Sequence, residues 1–537
     1  MTEPTTPAEP TPETQSAPSA APSADAAATE IAAGYKSDGA ALKLGAVIHD
    51  GTVFGDAQIT IPLSMMNRHG LIAGATGTGK TKTLQLIAEQ LSANGVPVFA
   101  ADIKSDLSGL AAAGEANAKV DERSKQVHDD WAATAYPVEF FSLGGDKESG
   151  TPLRATVTAF GPLLLSKVMG LNETQESSLQ LMFHWADTKG LPLLDLKDLR
   201  AVISYLTSDD GKGELDQIGG VSKATAGVIL REVTGLQAQG MDEFFGEPEF
   251  DTHDLMRVTD DGRGIVSLIE LSKVQDRPAL FSTFLMWLLA DLYHDLPEVG
   301  DADKPKLVFF FDEAHLLFNG ASKAFLDAVT QTVRLVRSKG VGVFFVTQRP
   351  TDVPSDVLAQ MGNRVQHALR AFTPEDATAL SKTVRTYPKT EHYDLEQVLT
   401  QLGTGEAIVT VMSERGAPTP VAWTRLPAPR SMMSPCGPSV VQQLIGSSAL
   451  HAKYADSIDR DSAYERLAKR TQGAGEESSA PAPEKATKST PTPRTTKQKD
   501  EESGIEKFLD NGAVKQFMRT AASAVARSLF GTSRRRR

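Results

Sequence analysis

Gly74-Ala75-Thr76-Gly77-Thr78-Gly79-Lys80-Thr81 is the stretch on which the rest of this chain is read. It satisfies G-x-x-x-x-G-K-[ST], the pattern of a phosphate-binding loop. Its glycines let the backbone close around an anion without Cβ clashes. The loop N–H groups and the start of the following helix then form a nest for the α- and β-phosphates. Lys80 is expected at the β/γ-phosphates and the Thr81 hydroxyl on Mg²⁺. The flanks agree: Leu71-Ile72-Ala73 suits a buried strand, and Lys82 to Asn94 reads as an amphipathic helix ending at Gly95. The expected ligand is a nucleoside triphosphate, ATP, with Mg²⁺.

Outward from the loop, strand-like and helix-like segments alternate. Val96 to Asp102, Val138 to Ser142, Gly264 to Leu268, Leu307 to Asp312, Gly342 to Thr347 and Val365 to Ala371 are expected strands. Ala279 to Tyr293 and Lys323 to Ser338 are expected helices between them. This alternation predicts an α/β, doubly wound, mainly parallel sheet. Residues 153–260 break it with helical stretches, which predicts a helical insertion, a lid over one sheet edge.

Leu307-Val308-Phe309-Phe310-Phe311-Asp312-Glu313 supplies the second half of the expected site. Five apolar residues make a buried strand, and the carboxylates emerge at its C-terminal end, where ligands sit in open α/β sheets. Asp312 is expected on Mg²⁺, and Glu313 is placed to deprotonate the attacking water. Gln348, after the strand Gly342 to Thr347, is a candidate sensor of the γ-phosphate or simply a strand-capping amide. Arg337 sits at a helix end just before that strand. It suits a finger offered to a neighbouring subunit, or a cation at a helix C-terminus. Asp102 fits the Mg²⁺ shell, a role in holding its loop, or simply an Asx turn.

Composition narrows the setting. The 537 residues carry a net charge of −13, so nucleic-acid contact would depend on local basic patches or a pore lining. One cysteine, Cys436, excludes an internal disulfide framework and fits a reducing, cytoplasmic location. No apolar run reaches 18 residues, which predicts no transmembrane segment. No Lys or Arg precedes Lys36, which argues against a secretory signal or a mitochondrial presequence.

Several blocks appear in order around these motifs: Arg68-His69-Gly70-Leu71-Ile72-Ala73-Gly74, Gly170-Leu171-Asn172-Glu173-Thr174-Gln175, Phe311-Asp312-Glu313-Ala314-His315-Leu316-Leu317 and Val346-Thr347-Gln348-Arg349-Pro350. Gly362-Asn363-Arg364-Val365-Gln366-His367-Ala368-Leu369-Arg370-Ala371-Phe372-Thr373 completes the set. Together they resemble HerA-type ATPases of the FtsK–HerA superfamily, in its bacterial HerA-like branch, from about Arg68 to Pro429. The resemblance implies a RecA-like P-loop NTPase that forms a homo-hexamer with ATP at subunit interfaces and translocates on duplex DNA. It further implies that Lys80 and Thr81 bind phosphate and Mg²⁺, Asp312 and Glu313 form the acidic pair, Gln348 is the sensor and Arg337 the trans finger. Arg364 and Arg370 are further finger candidates.

The expected organisation is a disordered segment 1–30, a short strand-rich lead-in 31–67 and a core 68–430. A disordered linker 431–503, interrupted by a charged helix near Ser462 to Gln472, leads to an amphipathic basic helix 504–537. That last helix suits a protein partner, a membrane surface, nucleic acid or plain solvation. Two functions stand open at this point: a DNA-stimulated translocase or helicase, or an ATPase driving a protein assembly without nucleic acid.

Overall fold

The computed structural model of the protein describes residues 24–217, 219–300, 302–318 and 323–477. Its strands are β1 (Ala41–His49), β2 (Thr52–Pro62), β3 (Gly70–Ala73), β4 (Val98–Asp102), β5 (Val138–Ser142) and β6 (Thr151–Pro152). They continue with β7 (Val266–Glu270), β8 (Leu307–Phe311), β9 (Val341–Thr347), β10 (Asn363–Gln366), β11 (Glu406–Thr410) and β12 (Ala422–Arg425). All twelve join one sheet in the order β2-β1-β12-β11-β10-β3-β9-β8-β4-β7-β5-β6. From β10 to β6 every pairing is parallel, and from β2 to β10 every pairing is antiparallel.

The parallel strands are buried on both faces, and their residues alternate between two cores. Phe309 and Phe311 point into a cluster with Phe99, Phe141 and Phe345, whereas Val308 and Phe310 face Ile72, Leu84, Ile87 and Phe344. The helix Lys80–Ala93 covers the second face, and Pro278–Asp295 and Lys323–Val336 cover the first. The insertion leaves from edge strand β6 as the helices Val157–Val168, Glu173–Thr188, Leu196–Thr207 and Lys223–Ala238. Asn172 and Gln175 form a reciprocal capping box that starts Glu173–Thr188. These helices pack onto the sheet from that edge. Leu179, Met182, Val202 and Ile229 belong to the same buried cluster as Phe99 and Phe309.

Both ends of the core differ from expectation. The segment 1–30 contains the start of a helix, Ala24–Ala33, whose Ala27, Ala28 and Ile31 are buried. Small apolar side chains at helical spacing suffice to dock it, although the composition reads as low-complexity. The strand-rich lead-in becomes β1 and β2, an antiparallel extension of the main sheet through β12.

The expected linker from 431 is folded as far as Glu477, in the helices Pro438–Ser447, Ala449–Tyr454 and Ala463–Glu477. Its polar residues find acceptors on the core. The buried Glu89 carboxylate accepts the N–H groups of Arg430 and Ser431, each at 2.8 Å, and also the Ser431 hydroxyl. Asp198 accepts the Ser462 hydroxyl at 2.5 Å and the Tyr464 N–H at 2.8 Å. Leu450, Tyr454 and Leu467 complete the docking in the main cluster, and Cys436 is buried too. The expected helix 504–537 lies outside the described residues.

Candidate active site

Strand order gathers the site. β3 precedes the phosphate loop, β9 precedes Gln348, and β8 precedes Asp312 and Glu313; these three strands are adjacent and parallel. Ala73 lies opposite Thr347, and Phe311 opposite Phe345, so the three turns open at one edge of the sheet. That edge is the carboxyl end of the strands.

The loop has the backbone its glycines permit. Gly79 has φ 119, a conformation closed to ordinary side chains. At Gly74 a Cβ would lie 2.5 Å from the Cβ of His367, so strand β10 and the loop need glycine to pack. Lys80 opens the helix, is buried, and donates to the Ala75 carbonyl at 3.2 Å. Burial lowers the pKa of its ammonium, opposed by the charges of Glu313 and Asp312. Thr81 is half-buried in the first helical turn.

Asp312 is buried. Its Oδ1 accepts the Glu313 N–H at 2.8 Å, while Oδ2 has no hydrogen-bond partner. Burial pushes its carboxyl up to about 7. An unpartnered buried carboxylate oxygen near the Lys80 ammonium fits a Mg²⁺-nucleotide site, since a hard cation takes oxygen ligands. Glu313 has φ 46, a strained value for a non-glycine residue. Burial would raise its pKa, but the hydrogen bond and charge of Lys104 outweigh this and hold it below the usual carboxylate range.

Lys104 was not singled out from the sequence. It follows β4, the neighbour of β8, and its Nζ pairs with Glu313 Oε1. The available signal was a cation two residues beyond the carboxylate that ends a central strand. Asp102 resolves towards the turn reading: Oδ2 accepts the Leu107 N–H at 2.8 Å, and Oδ1 accepts the N–H groups of Lys104 and Asp106 at 3.2 Å. Burial, with the Glu270 charge adding to it, pushes Asp102 up to about 7.

Gln348 is exposed and lines a cavity of about 470 Å³ with Ala75, Thr76, Arg349 and Arg370. A second cavity, about 280 Å³, lies beside Gly79 and Thr83, with Leu86, Val120, Leu426 and Pro427 in its wall. Arg337 is not brought to this edge. It is exposed in the turn Arg337–Lys339, just before the N-terminal end of β9, and so sits at the opposite end of the sheet from its own phosphate loop. Arg364 is tied to the Thr386 hydroxyl at 2.7 Å, and the Arg370 guanidinium stands 6.0 Å from the exposed Phe372 ring.

The comparisons agree with this geometry. A family model described as helicase HerA-like C-terminal matches residues 49–537. The chain is 31% identical over 154 residues to a "Probable helicase MJECL08" of Methanocaldococcus jannaschii, which covers 27% of this chain and 28% of the relative. It is 22% identical over 358 residues to a "DNA double-strand break repair helicase HerA" of Sulfurisphaera tokodaii, covering 66% of this chain and 64% of the relative. The chain thus spans under a third of the first relative's length and 64% of the second's. Among solved structures, the bacterial conjugative coupling protein TrwBdeltaN70 in its unbound monoclinic form aligns with a TM-score of 0.50 and 16% identity. That alignment covers 76% of this chain and 94% of that chain, and at such identity it speaks for the fold alone. Among the described residues, no helix is long and apolar enough to cross a membrane. With a glycine-rich loop and an acidic strand end on adjacent turns of a RecA-like P-loop sheet, and a family match across most of its length, this chain belongs to the helicase HerA-like C-terminal family.

Proposed function

We propose that this chain hydrolyses ATP and, as a ring of identical subunits, uses the energy to move along duplex DNA. The observation that carries the hydrolytic part is the meeting of Lys80, Asp312 and Glu313 at one sheet edge, with carboxylate oxygens of both acids buried and without hydrogen-bond partners. The DNA part is supported by family membership and by relatives named as helicases.

In this reading the loop Gly74–Thr81 wraps the phosphates and Lys80 balances their charge. Thr81 and Asp312 would hold Mg²⁺, which neutralises charge on the β- and γ-oxygens when bound. Glu313 accepts a proton from water as the water oxygen bonds to the γ-phosphorus. The bond from that phosphorus to the bridging oxygen breaks, and ADP leaves with the electron pair. Gln348 lines the larger cavity together with Ala75 and Thr76 of the loop, which supports a role as sensor of the γ-phosphate. The apolar wall of the smaller cavity suits the nucleoside. Arg337 faces away from its own loop and serves a neighbour's site.

Steady-state ATPase with and without duplex DNA, alongside Lys80→Ala, tests the proposal. Stimulation by DNA that weakens as salt rises, and that disappears in Lys80→Ala, is the expected result. Turnover indifferent to DNA would remove the track and favour a motor for protein assembly. No turnover at all would overturn hydrolysis.

A further inference from the structure

Lys104 occupies a turn built to hold it still. Asp102 is fully buried, and its carboxylate accepts the backbone N–H groups of Lys104, Asp106 and Leu107. The next residue, Ser105, has φ 57 and donates its hydroxyl to Glu270 Oε2 at 2.6 Å. The turn is therefore fastened both to β4 and to the end of β7. Because Ala101 lies opposite Phe311 in the parallel pair β4–β8, the residues after each strand stand side by side. That register delivers the Lys104 ammonium to Glu313 across adjacent strands, at the spacing a sheet enforces.

The contact is one-sided. Lys104 pairs with Oε1 of Glu313. The other oxygen, Oε2, is buried without a hydrogen-bond partner, and His315 Nδ1 lies 3.3 Å from it. The Glu313 side chain is 6% exposed and that of Lys104 48% exposed, so the ammonium reaches inward from the solvent side to a buried acid. Long cationic side chains bury their stems and keep the head hydrated, so this orientation needs a partner to sustain it. The backbone of Glu313, at φ 46, also needs surrounding contacts to persist.

We propose that Lys104 is a positioning residue for hydrolysis: it holds Oε1 of Glu313 so that Oε2 is presented to the attacking water. This rests on the reading of Glu313 as general base. Lys104 acts through Glu313 and does not itself bind the nucleotide. Tying one oxygen restricts rotation of the carboxylate, so the other oxygen is held in a narrower set of orientations for accepting a proton.

The test is steady-state ATPase on the full chain, with ATP affinity followed separately by a fluorescent ATP analogue. Lys104→Met should lower kcat by about 10²-fold with KM and analogue affinity changed less than about 2-fold. Lys104→Arg, which keeps a donor cation, should recover most of the loss. In a Glu313→Gln background Lys104→Met should add less than about 2-fold, because the two residues act as a unit. Unchanged analogue affinity also shows that the variant is folded. Wild-type kcat in Lys104→Met overturns the assignment. So does a loss confined to KM, which would make Lys104 a phosphate ligand, and so does a full additional loss in the Glu313→Gln background. If wild type turns over and Lys80→Ala does not, the hydrolytic reading stands whatever Lys104 does. If wild type does not turn over, both fall together.

Discussion

His367 ties the helix of the phosphate loop to the antiparallel half of the sheet: its Nε2 lies 2.8 Å from the Thr83 hydroxyl, and its Nδ1 lies 2.9 Å from the Glu406 carbonyl. The ring is fully buried, and burial pushes its pKa down to about 4. The neutral form that donates from Nδ1 to the carbonyl and accepts at Nε2 satisfies both partners. His367→Ala should leave a cavity and two buried polar groups unpaired, costing on the order of 3 kcal/mol. Urea unfolding of the variant reads this loss, and an unchanged midpoint would remove His367 from the framework of the loop.

The same burial gives a pH signature. His69 and His367 are both pushed down to about 4 by burial, whereas in the unfolded chain they titrate near their ordinary value. Between those values the unfolded state binds more protons, so their contribution is complete above about 6.5 and lost as pH falls towards 4. Asp102 and Asp312, pushed up to about 7, contribute the opposite slope. The histidine effect is therefore read as a difference between proteins. His367→Gln should flatten the fall in stability from pH 7 to pH 5 by on the order of 2 kcal/mol. Parallel curves for wild type and variant would contradict a buried neutral His367.

Gly74 offers a local test of the loop. Its φ is 154 and a Cβ would meet His367 at 2.5 Å, so Gly74→Ala must displace either the loop or β10. ATP affinity should fall by at least about tenfold while the melting temperature drops by a few degrees. Full affinity in Gly74→Ala would show that the loop does not hold this conformation when it binds phosphate.

Glu89 fastens the segment after the core to the helix of the phosphate loop. It is buried and accepts from Arg430 and Ser431, while Gln85 on the same helix donates to the Met432 carbonyl at 2.9 Å. Glu89→Ala should release residues 430–436 without unfolding the sheet, since the lost acceptor served only that segment. Hydrogen exchange should quicken there by at least about tenfold, while β8 and β9 stay protected. Equal exchange in both proteins would mean that the helices from Pro438 onward hold the segment unaided.

Glu313→Gln should bind ATP as wild type does and turn it over about 10²- to 10⁴-fold more slowly. The trans role of Arg337 needs mixed assemblies. Arg337→Ala and Lys80→Ala subunits, each inactive alone, should regain part of the activity when combined. Absence of recovery in verified mixed rings would sink the finger assignment.

The sequence by itself determined the chemistry-bearing ends of the central strands. Glycine spacing in 74–81 and five apolar residues before Asp312 are local signals, and each suffices to specify its own turn or strand. The helical character of residues 153–260 was legible there too. Strand order was not legible there. The pairings β4–β8 and β3–β10 join residues far apart in the chain, and only tertiary packing decides them. Lys104 beside Glu313 and His367 beside Thr83 follow from those pairings and from nothing local. The same holds for 431–477, whose composition reads as linker because its anchors, Glu89 and Asp198, lie on distant helices. A polar segment folds when buried acceptors elsewhere await its donors, and no window of its own sequence carries that information.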